Sequence, residues 1–293
     1  MNDKISIPGV FYSKLGNERE ILKEYLEYSL VPDLSRFADF RDKKILDFGT
    51  GSGTSAFALI VAGANNVHGV DIVRDRILLA KSIANLLPIP QRHFVEFMHC
   101  EDTSKLPFED KTFDICVCNA VLEHIPRRYR KVHLQEMFRI LKDKGLLFIR
   151  GTPNRIFPKD SHLTELWFVH WMPFSMAGRY ALLRKRITTL DRLETRGIDG
   201  CLYWEVINNI KSEQFKIMNH SDLLELNNYF KASLENCYNR VSLFVRNFAR
   251  RFYITLNILI CKPLNIPIAA FLPFLTLCLR KESTSNNAEE KEL

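Results

Sequence analysis

The sequence lacks several of the patterns by which small or metal-stabilised domains are recognised. Its seven cysteines form no CxxC pair, and no His/Cys cluster has the spacing of a zinc site, so a zinc ribbon or disulfide scaffold is excluded as the organising feature. No internal repeat is present, and the start, "MNDKISIPGVFYS", has no basic stretch followed by an apolar core. We therefore expect a cytoplasmic protein with reduced cysteines, no signal peptide and no metal.

Charged residues are unevenly distributed along the chain. The net charge is +7, but residues 236–281 contain seven basic residues and no acidic one, whereas residues 282–293 contain four Glu and one Lys. A nucleic-acid-binding protein more often spreads basic side chains over one face of a domain, so no nucleic-acid partner is expected. Basic residues interleaved with long apolar stretches favour an anionic membrane surface instead.

From residue 44 onward, apolar strand patterns alternate with helical ones. Strands are predicted at "KILDF", "NVHGVDI", "FVEFMH", "FDICVCNAV" and "GLLFIRG", with helices such as "RDRILLAKSIANLL" and "RKVHLQEMFRILK" between them. This alternation predicts an α/β fold with a doubly wound, mostly parallel sheet and helices on both faces. Ligands of such sheets bind outside the carboxyl ends of the strands.

The stretch "ILDFGTGSGT" at residues 45–54 places an acid, Asp47, directly before a turn that contains Gly49, Gly51 and Gly53. A glycine-rich turn after the first strand lets the backbone approach a ligand closely. Dinucleotide sites prefer GxGxxG, whereas the spacing here is GxGxG. An acid before the turn would repel a diphosphate and attract a ligand ammonium group, so we predict that Asp47 faces an aminoacyl nucleoside.

This turn resembles the first motif of the class I S-adenosylmethionine-dependent methyltransferases, and later stretches resemble that family too. "GVDI" ends the second strand with Asp71, which the resemblance assigns to both ribose hydroxyls, and Ile72 follows in the same site. "EDTSKLPFEDKTFD" resembles the family's acid–LPF–FD stretch, which places Asp102 at the adenine amino group with Thr103 beside it. The resemblance covers roughly residues 40–155.

A fourth stretch, "CNAVLEHI", resembles the end of the family's fourth strand. Asn119 would face the methionyl part of the donor, and His124 follows in the next turn. The resemblance implies a Rossmann-like sheet of seven strands, S-adenosyl-L-methionine as the cofactor, and methyl transfer as the reaction. It leaves the acceptor open, because the sulfonium carries its own leaving group and the protein mainly aligns the methyl group with the acceptor.

Several of these residues also have a purely structural interpretation. Asp71 could cap the helix that follows it. Asp102 could close a turn while Glu101 makes the ligand contact. Asn119 could satisfy a strand end, and His124 could be a packed, hydrogen-bonded histidine.

Acceptor recognition is predicted in residues 152–218, a substrate-side insertion that begins "GTPNRIFPKDSHLTELWFVHWMPF". An aromatic wall with a few polar groups suits an apolar or sugar-bearing acceptor. His162 is the preferred general base, with His124 as the second candidate. The alternative is that Trp167, Trp171 and Phe174 only pack the irregular region.

Four segments are predicted along the chain: an N-terminal helical segment at 1–40 whose helix ends at Pro32, the methyltransferase domain at 41–239, a basic and apolar helical extension at 240–281, and a disordered tail at 282–293. The last strand of the fold is expected near Cys237. Residues 263–279 are uncharged but contain three prolines. A broken hairpin or in-plane membrane anchor therefore fits them better than a simple span. A cap packed on the domain is the alternative.

The sequence thus favours a methyltransferase that works at a membrane surface on a small or lipid-linked acceptor, such as a glycan lipid or an isoprenoid- or quinone-like molecule. Two other functions stay open. One is a donor-binding module without chemistry, and the other is a nicotinamide-dependent oxidoreductase, which the GxGxG spacing disfavours.

Overall fold

A computed structural model describes residues 15–16, 18–87, 94–160, 162–191, 194–219 and 243–283. Two helices, α1 (Glu18–Glu27) and α2 (Leu30–Ser35), precede the sheet. The predicted alternation from residue 44 is confirmed as β1 (Lys44–Phe48), α3 (Thr54–Val61), β2 (Asn66–Asp71), α4 (Arg74–Ala84), β3 (Phe94–His99), β4 (Phe113–Asn119), α5 (Arg127–Ile140) and β5 (Leu141–Pro153).

The second part of the chain adds the last helices and the remaining two strands. These elements are α6 (Phe174–Leu183), α7 (Tyr203–Asn209), β6 (Phe215–Ile217), α8 (Leu243–Leu256) and β7 (Phe274–Lys281). A π-helical turn at Asn257–Cys261 and a single helical turn at Lys262–Leu264 follow α8. Short 3-10 turns lie at Leu122–His124, Val169–Trp171, Glu194–Arg196 and Ile268–Phe271.

The seven strands form one sheet in the order β3-β2-β1-β4-β5-β7-β6. The pairs among β1 to β5 are parallel, whereas β7 runs antiparallel to both β5 and β6. The predicted doubly wound sheet is therefore confirmed as a mixed sheet with one reversed strand. The strand order reverses on either side of β1, and such a switch point leaves a crevice at the carboxyl ends of β1 and β4.

Both faces of the sheet are covered, which explains why its central strands are mostly apolar. On one face, helices α1 to α4 bury residues such as Leu22, Phe57 and Ile77 against the strands. On the other face, α5 and α7 bury residues such as Phe138 and Val206. The crevice is thus framed by two packed layers that hold the strand ends in place.

The N-terminal prediction needs one correction. The first helix ends at Glu27, not at Pro32, and Pro32 lies in the first turn of α2. A proline is tolerated there because the N–H that it lacks would have no partner within the helix.

The prediction for residues 263–279 is wrong for the part that forms β7. Leu277 and Leu279 pair with Ile149 and Leu147 of β5, and both leucines are fully buried. Residues 274–281 therefore belong to the sheet and do not form an apolar extension outside it. A buried strand and a membrane-facing segment are both continuously apolar, so composition alone could not separate them.

Some expectations fall on residues that the structure does not describe. The predicted helix and strand at 220–238, with Cys237, lie within 220–242, and most of the predicted tail lies at 284–293. Among the described helices, none combines the length and the apolarity that a membrane crossing requires.

Substitution of a β7 core residue tests the corrected assignment. Leu277→Ala should lower the free energy of unfolding by about 2–5 kcal/mol, because it leaves a cavity in the core. Leu183→Ala, at a leucine that is 81% exposed on α6, should change it by less than about 0.5 kcal/mol. Urea denaturation followed by circular dichroism measures both. Equal stability of the two variants would place Leu277 outside the core.

Candidate active site

The glycine turn after β1 has backbone angles and close contacts that exclude residues with a side chain. Gly49, Gly51 and Gly53 have φ angles of 72°, 57° and 90°, values that L-residues with a Cβ rarely adopt. A Cβ on Gly49 would lie 2.5 Å from Cγ2 of Val121, and one on Gly53 would lie 2.8 Å from Cε2 of Phe57. The turn is therefore packed against neighbouring segments, with its backbone facing the crevice at the strand ends.

Asp71, the last residue of β2, fixes this turn. Its Oδ2 accepts a hydrogen bond from the backbone N–H of Gly51 at 2.8 Å, and its Oδ1 accepts one from the N–H of Val73 at 2.8 Å. Asp71 is buried yet lines the cavity described below. Carboxylate oxygens accept more than one hydrogen bond each, so capacity for ligand hydroxyls remains. The structural role and the predicted ribose contact are thus compatible.

Asp47 lies beneath the turn. Its side chain is buried, its Oδ2 accepts a hydrogen bond from Oγ1 of Thr50 at 2.6 Å, and the backbone N–H of Ala56 also donates to it. Burial raises the pKa of Asp47 to about 7. Asp47 is not among the residues that line the cavity, so direct contact with a ligand ammonium group stays a prediction.

Asp102 and Thr103 follow β3 and face different surroundings. Asp102 is exposed, and its Oδ1 accepts hydrogen bonds from the N–H and Oγ of Ser104 at 2.9 and 2.5 Å. These bonds hold the pKa of Asp102 below its usual value. The geometry agrees with the turn-closing interpretation. Thr103 is buried and lines the cavity, whereas the adenine contact of Asp102 stays a prediction.

Asn119, at the end of β4, joins the strand to the first turn of α3. Its Nδ2 donates to Oγ of Ser55 at 3.0 Å, and the Tyr25 hydroxyl of α1 lies beside it. The next two residues, Ala120 and Val121, line the cavity, but Asn119 does not. Asn119 is thus buried outside the cavity lining, and its contact with the methionyl part of the donor stays a prediction.

A cavity of about 980 Å³ opens above the switch point. One part of its wall carries residues of the predicted donor site: Gly49, Asp71, Ile72 and Thr103. The other part comes from the segment after β5 and includes the apolar side chains Leu163, Phe174 and Leu190. A cavity of this size holds a drug-sized ligand, and its two chemically different walls suit two ligands side by side.

Three histidine and carboxylate groups meet near the base of this cavity. His124 lines the cavity, and its Nδ1 lies 2.8 Å from the carbonyl oxygen of Thr195. The ring of His162 lies 5.4 Å from that of His124, centroid to centroid. Loss of solvation lowers the pKa of both histidines, which favours their neutral forms at pH 7. The two predicted bases are thus brought together, although only His124 is part of the lining.

Glu123 was not predicted and is the most unusual group of the site. It is fully buried, and its Oε2 accepts a hydrogen bond from Oγ1 of Thr152 at 2.9 Å. Burial raises the pKa of Glu123 to about 7. The sequence signal was an acid within the apolar run "AVLEHI", where an exposed surface acid is not expected.

The insertion after β5 is organised by Asp160. This fully buried carboxylate accepts hydrogen bonds from the N–H of His162 at 2.8 Å and from the N–H and Oγ1 of Thr164 at 2.7 Å each. It thereby sets the backbone that presents His162. Trp167 and Trp171 are 54% and 56% exposed, although Nε1 of Trp171 donates to the carbonyl oxygen of Arg155, so a ligand contact and a packing role both stay predictions.

Three arginines of the cavity wall were also missed: Arg76, Arg128 and Arg196. They give the cavity a positive potential that favours carboxylate or phosphate groups on a ligand. Sequence reasoning passed over them because basic residues of helix starts and loops are usually solvated.

The comparisons with known proteins bear on the same segment. A family model described as a methyltransferase domain matches residues 46–149, a span that contains the glycine turn, Asp71, Asp102 and Asn119. This part of the chain belongs to the class I S-adenosylmethionine-dependent methyltransferases. The cofactor of this family is S-adenosylmethionine, as the sequence predicted, which favours that donor over the nicotinamide alternative.

Two curated relatives show how far the similarity of the methyltransferase domain extends. The ubiquinone biosynthesis O-methyltransferase of Glaesserella parasuis is 38% identical over 120 residues, which are 39% of this chain and 46% of the relative. The demethylmenaquinone methyltransferase of Lactococcus lactis is 30% identical over 143 residues, which are 48% of this chain and 54% of the relative. The chain thus spans about half the length of these curated relatives.

The structural similarity extends over a longer part of the chain. The cyclase SpnF superimposes with a TM-score of 0.50 and 16% identity, covering 95% of this chain and 98% of SpnF. At this identity the likeness concerns the fold alone. A protein named as a cyclase shares it, so the fold of the methyltransferase domain does not by itself decide the reaction.

Asp71→Asn tests the donor side. The substitution keeps the size of the side chain but removes the charged acceptor, and hydrogen bonds to charged groups contribute about 1.5–3 kcal/mol each. Calorimetry should show at least about tenfold weaker binding of S-adenosylmethionine. Asp75→Asn, at an exposed residue in the first turn of α4, is the matched control and should bind normally. Unchanged affinity in folded Asp71→Asn would remove Asp71 from the donor site.

Asp47→Asn tests the buried acid. A folded-state pKa of about 7, above the ordinary value of 3.8, means that the folded protein holds this proton more tightly than the unfolded chain does. The stability that Asp47 contributes is therefore present below the unfolded pKa and is lost as pH rises through about 7. Between about pH 5 and pH 8, the variant should gain stability relative to wild type, measured by urea denaturation without ligand. A difference that does not depend on pH would contradict this.

Proposed function

We propose that the protein transfers the methyl group of S-adenosylmethionine to a small acceptor with an apolar part, of the quinone-precursor or lipid-linked class. The observation that carries the proposal is the single cavity in which Asp71 and the glycine turn lie on one wall and Leu163, Phe174 and Leu190 lie on the other. Such a cavity can hold donor and acceptor side by side, as in-line transfer requires.

The protein itself takes little part in the covalent chemistry of the reaction. A nucleophilic atom of the acceptor forms a bond to the methyl carbon while the carbon–sulfur bond breaks, and its electron pair stays on sulfur as a neutral thioether. A proton on the nucleophile leaves to a base or to water. His124 lines the cavity and its ring lies 5.4 Å from that of His162, so it is our candidate to receive that proton.

The acceptor class is supported by the second wall and by the relatives. The aromatic rings of Trp167, Phe168 and Trp171 form a contiguous series with centroids 6.1 and 5.3 Å apart. All three are exposed and follow Leu163 in the same insertion. An isoprenoid or acyl tail could lie along them while its head group enters the cavity. The two curated relatives named above are described as ubiquinone and menaquinone pathway methyltransferases.

Membrane association is part of the proposal and rests on α8. Phe248 and Phe252 of this helix are 65% and 54% exposed, and Arg250 and Arg251 lie on its exposed surface as well. A helix with exposed aromatic and basic residues is suited to an anionic surface, where each arginine contributes about 1 kcal/mol. An apolar acceptor would reach the cavity from such a surface.

Phe174→Ala tests the acceptor wall. Methyl transfer from labelled donor is measured with a phenolic quinone precursor that has a short isoprenoid tail. The variant should raise KM for the acceptor about tenfold, since burial of a phenylalanine contributes about 1.5–3 kcal/mol, and donor affinity should not change. Met176→Ala, at a residue of α6 that is 57% exposed, should behave like wild type.

The same assay separates the remaining alternatives. If donor binds but no label enters any extractable product, with the phenol or with lipid extracts, the protein is a donor-binding module. With acceptor embedded in anionic vesicles, replacement of Arg250 and Arg251 by Gln should slow transfer. With a dissolved short-tailed acceptor, the same replacement should leave the rate of transfer unchanged. Equal rates in both cases would contradict membrane association.

A further inference from the structure

We infer that Glu123, His124 and His162 bind a divalent transition-metal ion at the base of the cavity. One ligand atom from each residue lies within 4.8 Å of the other two. Glu123 and His124 belong to the 3-10 turn after β4, whereas His162 comes from the insertion after β5. Because the ligands are separated by nearly forty positions in sequence, no local spacing signalled the site.

The first argument is the state of the Glu123 carboxylate. Its Oε2 is satisfied by Thr152, but its Oε1 is buried and accepts no hydrogen bond from any described residue. A buried acceptor without a partner costs free energy, and native structures rarely keep one without a ligand or a water. Nearby Arg130 does not satisfy it, because that guanidinium bonds to Glu205 and to the carbonyl oxygen of Ile125.

The second argument is the orientation of His124. A carbonyl oxygen can only accept a hydrogen bond, so the contact with Thr195 requires the proton on Nδ1. The lone pair of the neutral ring is then on Nε2. Metal-binding histidines have this arrangement, in which one ring nitrogen donates to a backbone carbonyl and the other binds the ion.

The third argument is the gap between the three groups. Within the described part of the chain, no hydrogen bond joins Oε1 of Glu123 to either ring, although the ligand atoms are within 4.8 Å. A tetrahedral ion with bonds of about 2.1 Å holds its ligand atoms about 3.4 Å apart. Ligand atoms that lie within 4.8 Å of one another reach this spacing after small side-chain rotations.

Gly197 packs against two of the three proposed ligands. A Cβ there would lie 3.0 Å from Cδ2 of His162 and 3.1 Å from Cγ of Glu123, and the φ angle is 88°. The backbone of the segment that also supplies Thr195 therefore packs directly on two of the three ligands. A side chain at this position would push them apart.

The ligand set indicates the class of ion. One carboxylate oxygen and two neutral imidazoles suit Zn²⁺, Co²⁺, Mn²⁺ or Fe²⁺ better than Ca²⁺ or Mg²⁺. Three protein ligands leave further positions for water or substrate, and His124 places them at the cavity. Use of the ion in catalysis rests on the proposed function: an acceptor hydroxyl bound there would release its proton to water more readily.

Cobalt binding tests the site directly. The full chain is treated with a chelator, dialysed and titrated with Co²⁺, which is followed by calorimetry and by the visible absorption of bound Co²⁺. Wild type should bind one ion. Because even outer-shell changes cost about 10–100-fold in metal affinity, Glu123→Gln and His162→Ala should each weaken binding by at least about a hundredfold. His133→Ala, on α5 outside the cluster, should bind like wild type.

Affinity for S-adenosylmethionine, measured on the same samples, shows that the variants are folded and should be unchanged. Failure of the wild type to bind Co²⁺ or Zn²⁺, or equal binding by folded Glu123→Gln, would overturn the metal site. Cobalt binding without methyl transfer to any acceptor would refute the proposed function and leave the site intact. Methyl transfer by a wild-type protein that binds neither ion would refute the metal site and leave the proposed function intact.

Discussion

A single carboxylate joins the turns after β1 and β2, which form the predicted donor side of the cavity. Asp71 accepts hydrogen bonds from the amides of Gly51 and Val73, so the turn after β1 and the turn after β2 share one acceptor. Each backbone amide gains a charge-assisted partner, and the glycines let the first turn come close enough to reach it. The cavity has its shape because these two turns cannot move apart independently.

The fold up to β5 could be predicted from the sequence because its signals are local. Each strand is an apolar run, and each helix has its own periodicity, so neither depends on distant residues. The last strand could not be predicted in this way. β7 pairs with β5 across more than 120 positions, and its apolar character is the same whether the neighbour is a sheet or lipid. Only the strand pairing seen in the structure, with Leu277 opposite Ile149, shows that the neighbour is a sheet and not lipid.

The site was predictable to the same extent. Gly49, Asp71 and Thr103 lie on the cavity wall, and each stands at or shortly after the end of a predicted strand, whereas their contacts with the donor stay predictions. The surroundings of Asp47 and Asp102 depend on neighbours that a motif does not specify, and each carboxylate bonds to a nearby hydroxyl. The meeting of Glu123 with His162 depends on the path of the insertion, which has no periodicity from which to predict it.

The proposed methyl transfer depends on one placement, that of the donor above the Asp71 turn, because the wall of Leu163 and Phe174 can present an acceptor only if the methyl group lies opposite it. A crystal structure of the protein with S-adenosylhomocysteine tests this placement most directly. We expect the ribose hydroxyls within hydrogen-bonding distance of Asp71, with the sulfur directed toward the wall of Leu163 and Phe174. A nucleoside bound elsewhere, or bound in this cavity without contact to Asp71, would contradict the account.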